Sequence, residues 1–217
     1  MNLHAVGFDL DETLIAVDRP RSALLDAATE QVGGPSLSRE AYLDAHAEHS
    51  GARSREPVFA ALLGDGETDA AALAAAYREA VADAMSPVTD VPALVERLRD
   101  RHRVGLLTDG PEGTQRDKLA RLGWTDLFDA TVVTGTLDAP KPDASAFAAL
   151  ADALDVPREQ TAYVGDHPEN DVAGASAAGL VPVQVLYDDG PPVHPAAAAT
   201  VRRPALGKTL PGVLAAL

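Results

Sequence analysis

The sequence predicts an α/β protein built on a parallel sheet, with a small helical insert close to its start. Two observations carry the prediction. From residue 87 onward, short apolar stretches alternate with amphipathic helical patterns, as in successive βαβ units. Leu3, Ala5, Val6 and Phe8 form a near-continuous apolar run, the composition of a central parallel strand buried on both faces. A third observation sets the insert apart: residues from about 15 to 85 carry helix-like patterns and no convincing strand. The expected division is a core of 1–14 and 87–217 and a helical cap of 15–86.

Each element has its local reason. In the insert, Leu24, Leu25, Ala28 and Val32 mark a helix that Gly33-Gly34-Pro35 ends, glycine permitting the terminal turn and proline forbidding continuation. Ser38 is the expected N-cap of a second helix. Pro57 suits the first turn of a third that runs to Leu63 and is closed by Gly64-Asp65-Gly66. A fourth, 68–85, is alanine-rich with Leu73, Tyr77 and Val81 on one stripe. Ser86-Pro87 breaks the pattern, and the core resumes with helix 91–101, strand 104–107, helix 115–122 and strand 130–133. Helix 145–154, strand 161–164, helix 170–178 and strand 181–187 follow. The 188–195 segment reads as loop, and the C-terminus as a short strand at Thr200-Val201 with a final turn.

Composition narrows the function classes. With 33 Asp and Glu against 18 Lys and Arg, the formal charge of −15 repels nucleic acid and anionic membranes, so neither is an expected partner. No stretch reaches the roughly 18 apolar residues of a membrane span, and no basic flank with a hydrophobic segment and cleavage site opens the chain, so a cytoplasmic protein is expected. Without cysteine there are no disulfides, thiolate metal sites or cysteine nucleophiles. The only lysines are Lys118, Lys141 and Lys208, and an acidic, lysine-poor surface fits a halophilic, salt-filled cytoplasm, where screening removes self-repulsion.

The first strand stops at Asp9-Leu10-Asp11-Glu12-Thr13, and ligands of open α/β sheets collect at the carboxyl ends of the strands. Two carboxylates this close repel each other in a dry pocket unless a cation or a shared proton relieves them. A polar strand-to-loop transition, with aspartate as turn former, is the rival reading of these residues taken alone. The other strand ends decide between the two: Thr108, then Lys141 in the loop after the third strand, then Asp166 with Asn170 and Asp171. A carboxylate attacking phosphorus needs a cation to cancel its own charge and the phosphate's. Asp9, the Asp11 backbone carbonyl and Asp166 can hold Mg2+, with waters and a phosphate oxygen completing an octahedron. Thr108 can donate its hydroxyl to a phosphate oxygen, and Lys141 can supply positive charge to the nucleophile and the equatorial oxygens. Asn170 and Asp171, opening a helix next to Asp166, would orient the metal and its waters.

These motifs, Asp9-Leu10-Asp11-Glu12-Thr13, Thr108-Asp109-Gly110, Lys141-Pro142-Asp143 and Gly165-Asp166-His167-Pro168-Glu169-Asn170-Asp171, stand in the order in which the chain resembles the haloacid dehalogenase-like hydrolase superfamily. With 174–179 they cover nearly the whole length outside the insert. The resemblance implies a Rossmann-like three-layer α/β/α fold with a parallel sheet ordered 5-4-1-2-3 and a small all-helical cap inserted after the first strand. It also implies roles: Asp9 as nucleophile and Mg2+ ligand, Asp11 as general acid and then base, Thr108 and Lys141 on phosphate, and Asp166 with Asp171 at the metal. Dehalogenases of the superfamily lack a carboxylate at the position of Asp11, because expelling halide needs no proton. Phosphonate hydrolysis uses a cap lysine, and residues 15–86 contain none. The implied activity is that of a magnesium-dependent phosphatase hydrolysing a small soluble organophosphate monoester through an aspartyl-phosphate. Relatives often carry asparagine where this chain has Asp109, and a carboxylate beside a phosphate site is unfavourable unless it turns away or meets a cation. The spacing from this motif to Gln115 and Lys118 is similar to that in sugar-phosphate and nucleotide phosphatases.

Two rivals share these residue types. A sugar phosphomutase of the same superfamily would return the phosphoryl group to its sugar, and product analysis separates it from a phosphatase. A receiver-like phosphoaspartate module also gathers carboxylates, threonine, lysine and magnesium, but in another chain order and without a cap. Arg53 and Arg55, in a cap loop, are expected either to reach a substrate's anionic tail or to be plain surface charges. His46, His49 and His167 are expected to face solvent and Trp124 to pack in the core. The expected partner is a small phosphorylated metabolite, and the expected state a monomer or weak homodimer.

Overall fold

The structure, a computed structural model, describes residues 2–49 and 54–217. Strand β1 (Ala5–Phe8) is buried along its whole length and lies between β4 (Arg103–Thr108) and β6 (Thr161–Gly165), parallel to both. β5 (Ala130–Val133) flanks β4, while β7 (Val181–Leu186) and β8 (Ala199–Arg202) extend the other side. The six-stranded order β5-β4-β1-β6-β7-β8 is the expected five-strand order with one further parallel strand at the edge. That strand is the one read at Thr200-Val201, which pairs with Gln184 and Val185.

Helices cover both faces. On one, α5 (Val91–Arg99), α6 (Glu112–Leu122) and α9 (Leu206–Ala216) pack onto the sheet through Leu94, Leu98, Leu119, Leu206, Leu210 and Leu214. On the other, α7 (Ala144–Leu154) and the short α8 (Gly174–Ala177) contribute Phe147, Leu150, Leu154 and Ala175. Trp124 is buried in the first of these cores, as expected. The C-terminus departs from the sequence reading. Gly207, Pro211 and Gly212 lower the intrinsic helicity that a final turn reflects, yet Leu206, Leu210 and Leu214 recur at the helical spacing, and their burial makes α9 a full helix.

The insert contains α1 (Arg21–Gln31), α2 (Arg39–Glu48), α3 (Glu56–Leu63) and α4 (Ala70–Asp83). They have a core of their own around Leu24, Leu25, Tyr42, Phe59, Leu73 and Tyr77. Ser38 caps α2 as expected, accepting from the Ala41 amide at 3.1 Å. The expectation of a strand-free insert needs correcting at its ends. β2 (Ile15–Val17) and β3 (Met85–Pro87) form a two-stranded antiparallel ladder that ties the outgoing chain to the returning one. Three-residue strands are too short to show a period of two, so no sequence pattern announces them. An ion pair between Arg121 of α6 and Glu79 of α4, at 2.5 Å, joins the two units at a second place.

Candidate active site

The site starts where β1 ends. Asp9 still belongs to the sheet, its amide donating to the Val164 carbonyl at 2.9 Å, and Leu10 is fully buried, so the chain must turn at a fixed point. It turns through Glu12, which adopts a left-handed φ of 62°, a conformation that costs energy in a residue with a Cβ. Arg203 holds this turn, donating to Glu12 Oε2 at 2.8 Å while its guanidinium stacks 3.9 Å over the Tyr187 ring. The Tyr187 hydroxyl in turn donates to Asp166 Oδ2 at 3.2 Å, and the Thr13 hydroxyl to Asp166 Oδ1 at 3.3 Å.

Lys141 stands at the centre. Its Nζ is 2.7 Å from Asp9 Oδ1, 2.7 Å from Asp171 Oδ1 and 3.1 Å from the Tyr163 hydroxyl. Asp109 braces the loop that carries it: Oδ1 accepts from the Lys141 amide at 3.1 Å and from the Thr134 hydroxyl at 2.8 Å, turning this carboxylate onto the neighbouring loop. Asp171 comes from the 168–173 segment, which forms a π-helical turn instead of the expected regular helix, and its Oδ2 accepts from the His167 amide at 2.9 Å. The close approach needs Gly165, because a Cβ there would meet the Asp171 carboxyl at 2.5 Å. His167 is exposed as expected, and its Nδ1 caps the turn by accepting from the Asn170 amide.

Oxygens of Asp9, Asp166 and Asp171, all buried, lie within 4.8 Å of one another. One lysine cannot neutralise three carboxylates. Burial, reinforced by the charge of Asp171, pushes Asp166 up to about 7. Burial raises Asp9 well above the carboxylate range, and the attraction of Lys141 does not undo this. Lys141 is held protonated because Asp171 and Asp9 outweigh its own burial. A set of hard oxygen donors with surplus negative charge fits a small divalent cation. The Asp11 side chain stands outside this cluster. Lys118 Nζ lies 2.7 and 2.6 Å from its two oxygens, Gln115 Nε2 lies 3.0 Å from Oδ2, and Arg21 lies 3.9 Å from Oδ1. Burial works to raise Asp11, but Lys118 and Gln115 hold it well below the usual carboxylate value. The same Gln115 amide donates to Thr108 Oγ1 at 2.5 Å, which leaves the threonine hydroxyl hydrogen free to donate elsewhere.

A cavity of about 740 Å³ opens between this floor and the helical unit, within the usual range for small-molecule sites. Asp11, Lys118, Lys141 and Asn170 line one side, and Arg39, Tyr42, His46, Arg55 and Tyr77 the other. Arg53 lies outside the described residues. His46, expected on a solvent face, is instead half-buried on the cavity wall, stacked against Tyr42 at 5.8 Å, and burial lowers its pKa. Sequence reasoning missed Tyr187, Arg203 and Arg39 altogether, and met Lys118 and Gln115 only as a spacing. The rarity of lysine was the available signal, since two of the three lysines end on site carboxylates.

A parallel sheet with its polar groups gathered at the carboxyl ends, beneath a helical unit that roofs a cavity, defines a Rossmann-like, small-molecule enzyme class. The chain belongs to the haloacid dehalogenase-like hydrolase family, whose model matches residues 3–179. It is similar to a phosphoserine phosphatase from Thermus thermophilus, 30% identical over 82% of this chain and 86% of that protein. A phosphoglycolate phosphatase from Cereibacter sphaeroides is 31% identical over 81% of each. A glyceraldehyde 3-phosphate phosphatase from Methanopyrus kandleri is 33% identical over 53% of this chain, which spans about half, 50%, of that relative's length. Among solved structures, a HAD phosphatase from Thermococcus onnurineus shares the fold with a TM-score of 0.71 at 24% identity, over 97% of this chain and 99% of that one. No helix among the described residues is long and apolar enough to cross a membrane.

Proposed function

We propose that this chain is a magnesium-dependent phosphomonoesterase that hydrolyses a small organophosphate through an aspartyl-phosphate at Asp9. The observation that carries the proposal is Lys141 clamped between Asp9 and Asp171 inside a buried carboxylate cluster that adjoins a metabolite-sized cavity. Asp9 and Asp166 would hold the ion, with Asp171 tied to Lys141 and the His167 amide beside them. When bound, Mg2+ supplies the positive charge that keeps Asp9 ionised and screens it from the incoming phosphate.

The remaining steps fall to the chain's own groups. Lys141 fixes Asp9 Oδ1, leaving the other oxygen to attack phosphorus, and its charge offsets that of the phosphoryl oxygens. The free Thr108 hydroxyl hydrogen suits a phosphoryl oxygen. Lys118 and Gln115 hold Asp11 as a carboxylate, the form that deprotonates the water attacking the aspartyl-phosphate. A phosphate dianion arriving beside Asp11 raises its proton affinity, which suits it to protonate the leaving oxygen in the first half-reaction. The relatives' named activities on phosphoserine, phosphoglycolate and glyceraldehyde 3-phosphate support a small phosphorylated metabolite as substrate. The acidic, lysine-poor composition supports a salt-rich working environment.

The experiment is a panel of phosphate esters assayed with magnesium in high salt, with Asp9→Asn as control. Release of phosphate by the wild type and its loss in the variant are expected. Undiminished turnover by Asp9→Asn, or a persistent phosphoaspartate without turnover, would overturn the proposal.

A further inference from the structure

At the cap end of the cavity two arginines meet no acid among the described residues. Arg39 opens α2, Arg55 immediately precedes α3, and both line the cavity. Of the arginines that line the cavity, Arg21 pairs with Asp11 and Glu12, whereas among the described residues no ion pair includes Arg39 or Arg55. This happens in a chain with 33 acidic residues for 18 basic ones. Among the described residues, the Nη1 of Arg39 and the Nε of Arg55 are also buried without a hydrogen-bond partner. A buried cationic N–H with no acceptor is costly, and such orphans mark places where a ligand or water supplies the missing oxygen.

Both guanidinium groups are held in place. Arg39 lies 5.0 Å over the Tyr42 ring and Arg55 5.4 Å over the Tyr77 ring, and those rings are 5.3 Å apart. The two cations therefore rest on adjoining members of one packed aromatic cluster, which Phe59 completes. The floor of the cavity differs: Lys118 and Lys141 are already bound to Asp11, Asp9 and Asp171. Of the other acids on the wall, Asp109 is occupied by Thr134 and the Lys141 amide, and Asp138 is exposed. Among the described residues that line the cavity, the arginines without a carboxylate partner are thus the two on its cap wall.

We propose that Arg39 and Arg55 form a subsite for a second oxyanion of the substrate, so that this site takes small phosphate monoesters bearing a carboxylate or a second phosphate at their far end. The inference rests on the phosphatase proposal above and names the substrate class. Planar guanidinium forks match the two oxygens of either group, and an ester with an uncharged tail would leave the buried N–H groups unpaired.

The test compares kcat/KM with magnesium for 2-phosphoglycolate, propane-1,3-diyl bisphosphate and ethyl phosphate, in the wild type and in Arg39→Gln, Arg55→Gln and the distant surface control Arg158→Gln. Titration calorimetry of 2-phosphoglycolate on Asp9→Asn, with and without Arg39→Gln, accompanies it. The wild type is expected to favour one or both of the esters with an anionic tail over ethyl phosphate. Each cavity variant lowers that preference on the order of 10- to 100-fold, the loss of one charged hydrogen-bond partner, while Arg158→Gln leaves it unchanged. Preference for the carboxylate ester or for the bisphosphate says which tail the subsite takes. Equal use of all three esters, or a preference that survives both substitutions, overturns the subsite and leaves the hydrolase proposal standing. If no ester is turned over, the hydrolase proposal falls and calorimetry decides the subsite: a tenfold or larger loss of affinity on Arg39→Gln supports it, unchanged affinity refutes it. Should a glutamine variant not fold, Arg39→Lys, which keeps the charge and loses the fork, is expected to lower the preference in the same direction.

Discussion

Lys141→Met removes the one positive charge at the centre of the carboxylate cluster while keeping most of the side chain's volume. Lys141 Nζ lies 2.7 Å from both Asp9 and Asp171, and all three side chains are nearly inaccessible. At an effective dielectric of about 20, each pair is worth about 6 kcal/mol before desolvation. Removing one partner of such a buried pair typically costs about 3–5 kcal/mol net. For a chain of 217 residues, roughly 2–4 °C per kcal/mol predicts a fall in Tm of about 6–20 °C in the metal-free protein. The pH dependence follows from Asp166, which burial raises in the folded state to about 7, far above the ordinary carboxylate range. A carboxyl raised on folding binds its proton more tightly in the native state, so its contribution falls as pH rises from about 4 through 7, by roughly 4 kcal/mol in all. The Met variant has more uncompensated negative charge, so its deficit is expected to be smallest near pH 5 and largest near pH 8. A divalent cation replaces the missing charge, so magnesium should raise the Tm of the variant more than that of the wild type. Thermal melts followed by circular dichroism and by the buried Trp124, in EDTA and in magnesium between pH 5 and 8, measure all of this. A Tm loss that is the same at every pH and unaffected by magnesium would refute the electrostatic reasoning and make Lys141 a packing residue.

Three further outcomes follow from the same geometry. Lys118→Met should destabilise the protein at neutral pH by about 2 kcal/mol. Asp11, depressed by Lys118, stabilises above its unfolded pKa of about 3.9 and loses that contribution as pH falls from there through its lower folded value, so the gap between urea melts of variant and wild type should begin to narrow below about pH 4. Tyr187→Phe removes the hydroxyl donated to Asp166 Oδ2 and is expected to weaken magnesium binding about tenfold by calorimetry, with a stability cost of about 1 kcal/mol. Gly165→Ala puts a Cβ 2.5 Å from the Asp171 carboxyl and should cost about 1–3 kcal/mol in denaturant melts while also lowering magnesium affinity.

What the sequence displays and what it conceals follow one physical division. Asp9, Thr108 and Asp166 were legible because each ends a strand buried on both faces, where an unbroken apolar run makes the first polar residue conspicuous. Lys141 follows the third strand at a loop's distance, and its rarity in the composition drew attention to it. The order of the sheet came with the family resemblance, since parallel strands declare their existence but not their neighbours. The partners that set the charge state of these groups have no local signature. Lys118 reaches Asp11 across 107 positions and Arg203 reaches Glu12 across 191, from a helix face and a short 3-10 turn where a basic residue ordinarily means only solvent. Tyr187 looked like the end of an apolar strand, and only the fold shows that its hydroxyl overhangs Asp166. Arg39 reads in the chain as the first residue after an N-cap, and the orphaned nitrogen that gives it meaning exists only once Tyr42, Tyr77 and the cavity stand beside it. Residues that perform chemistry at strand ends are thus visible one at a time, whereas those that tune charge and choose substrate are defined by pairs far apart in the chain. Perturbing such pairs therefore tests the fold and the proposed function together.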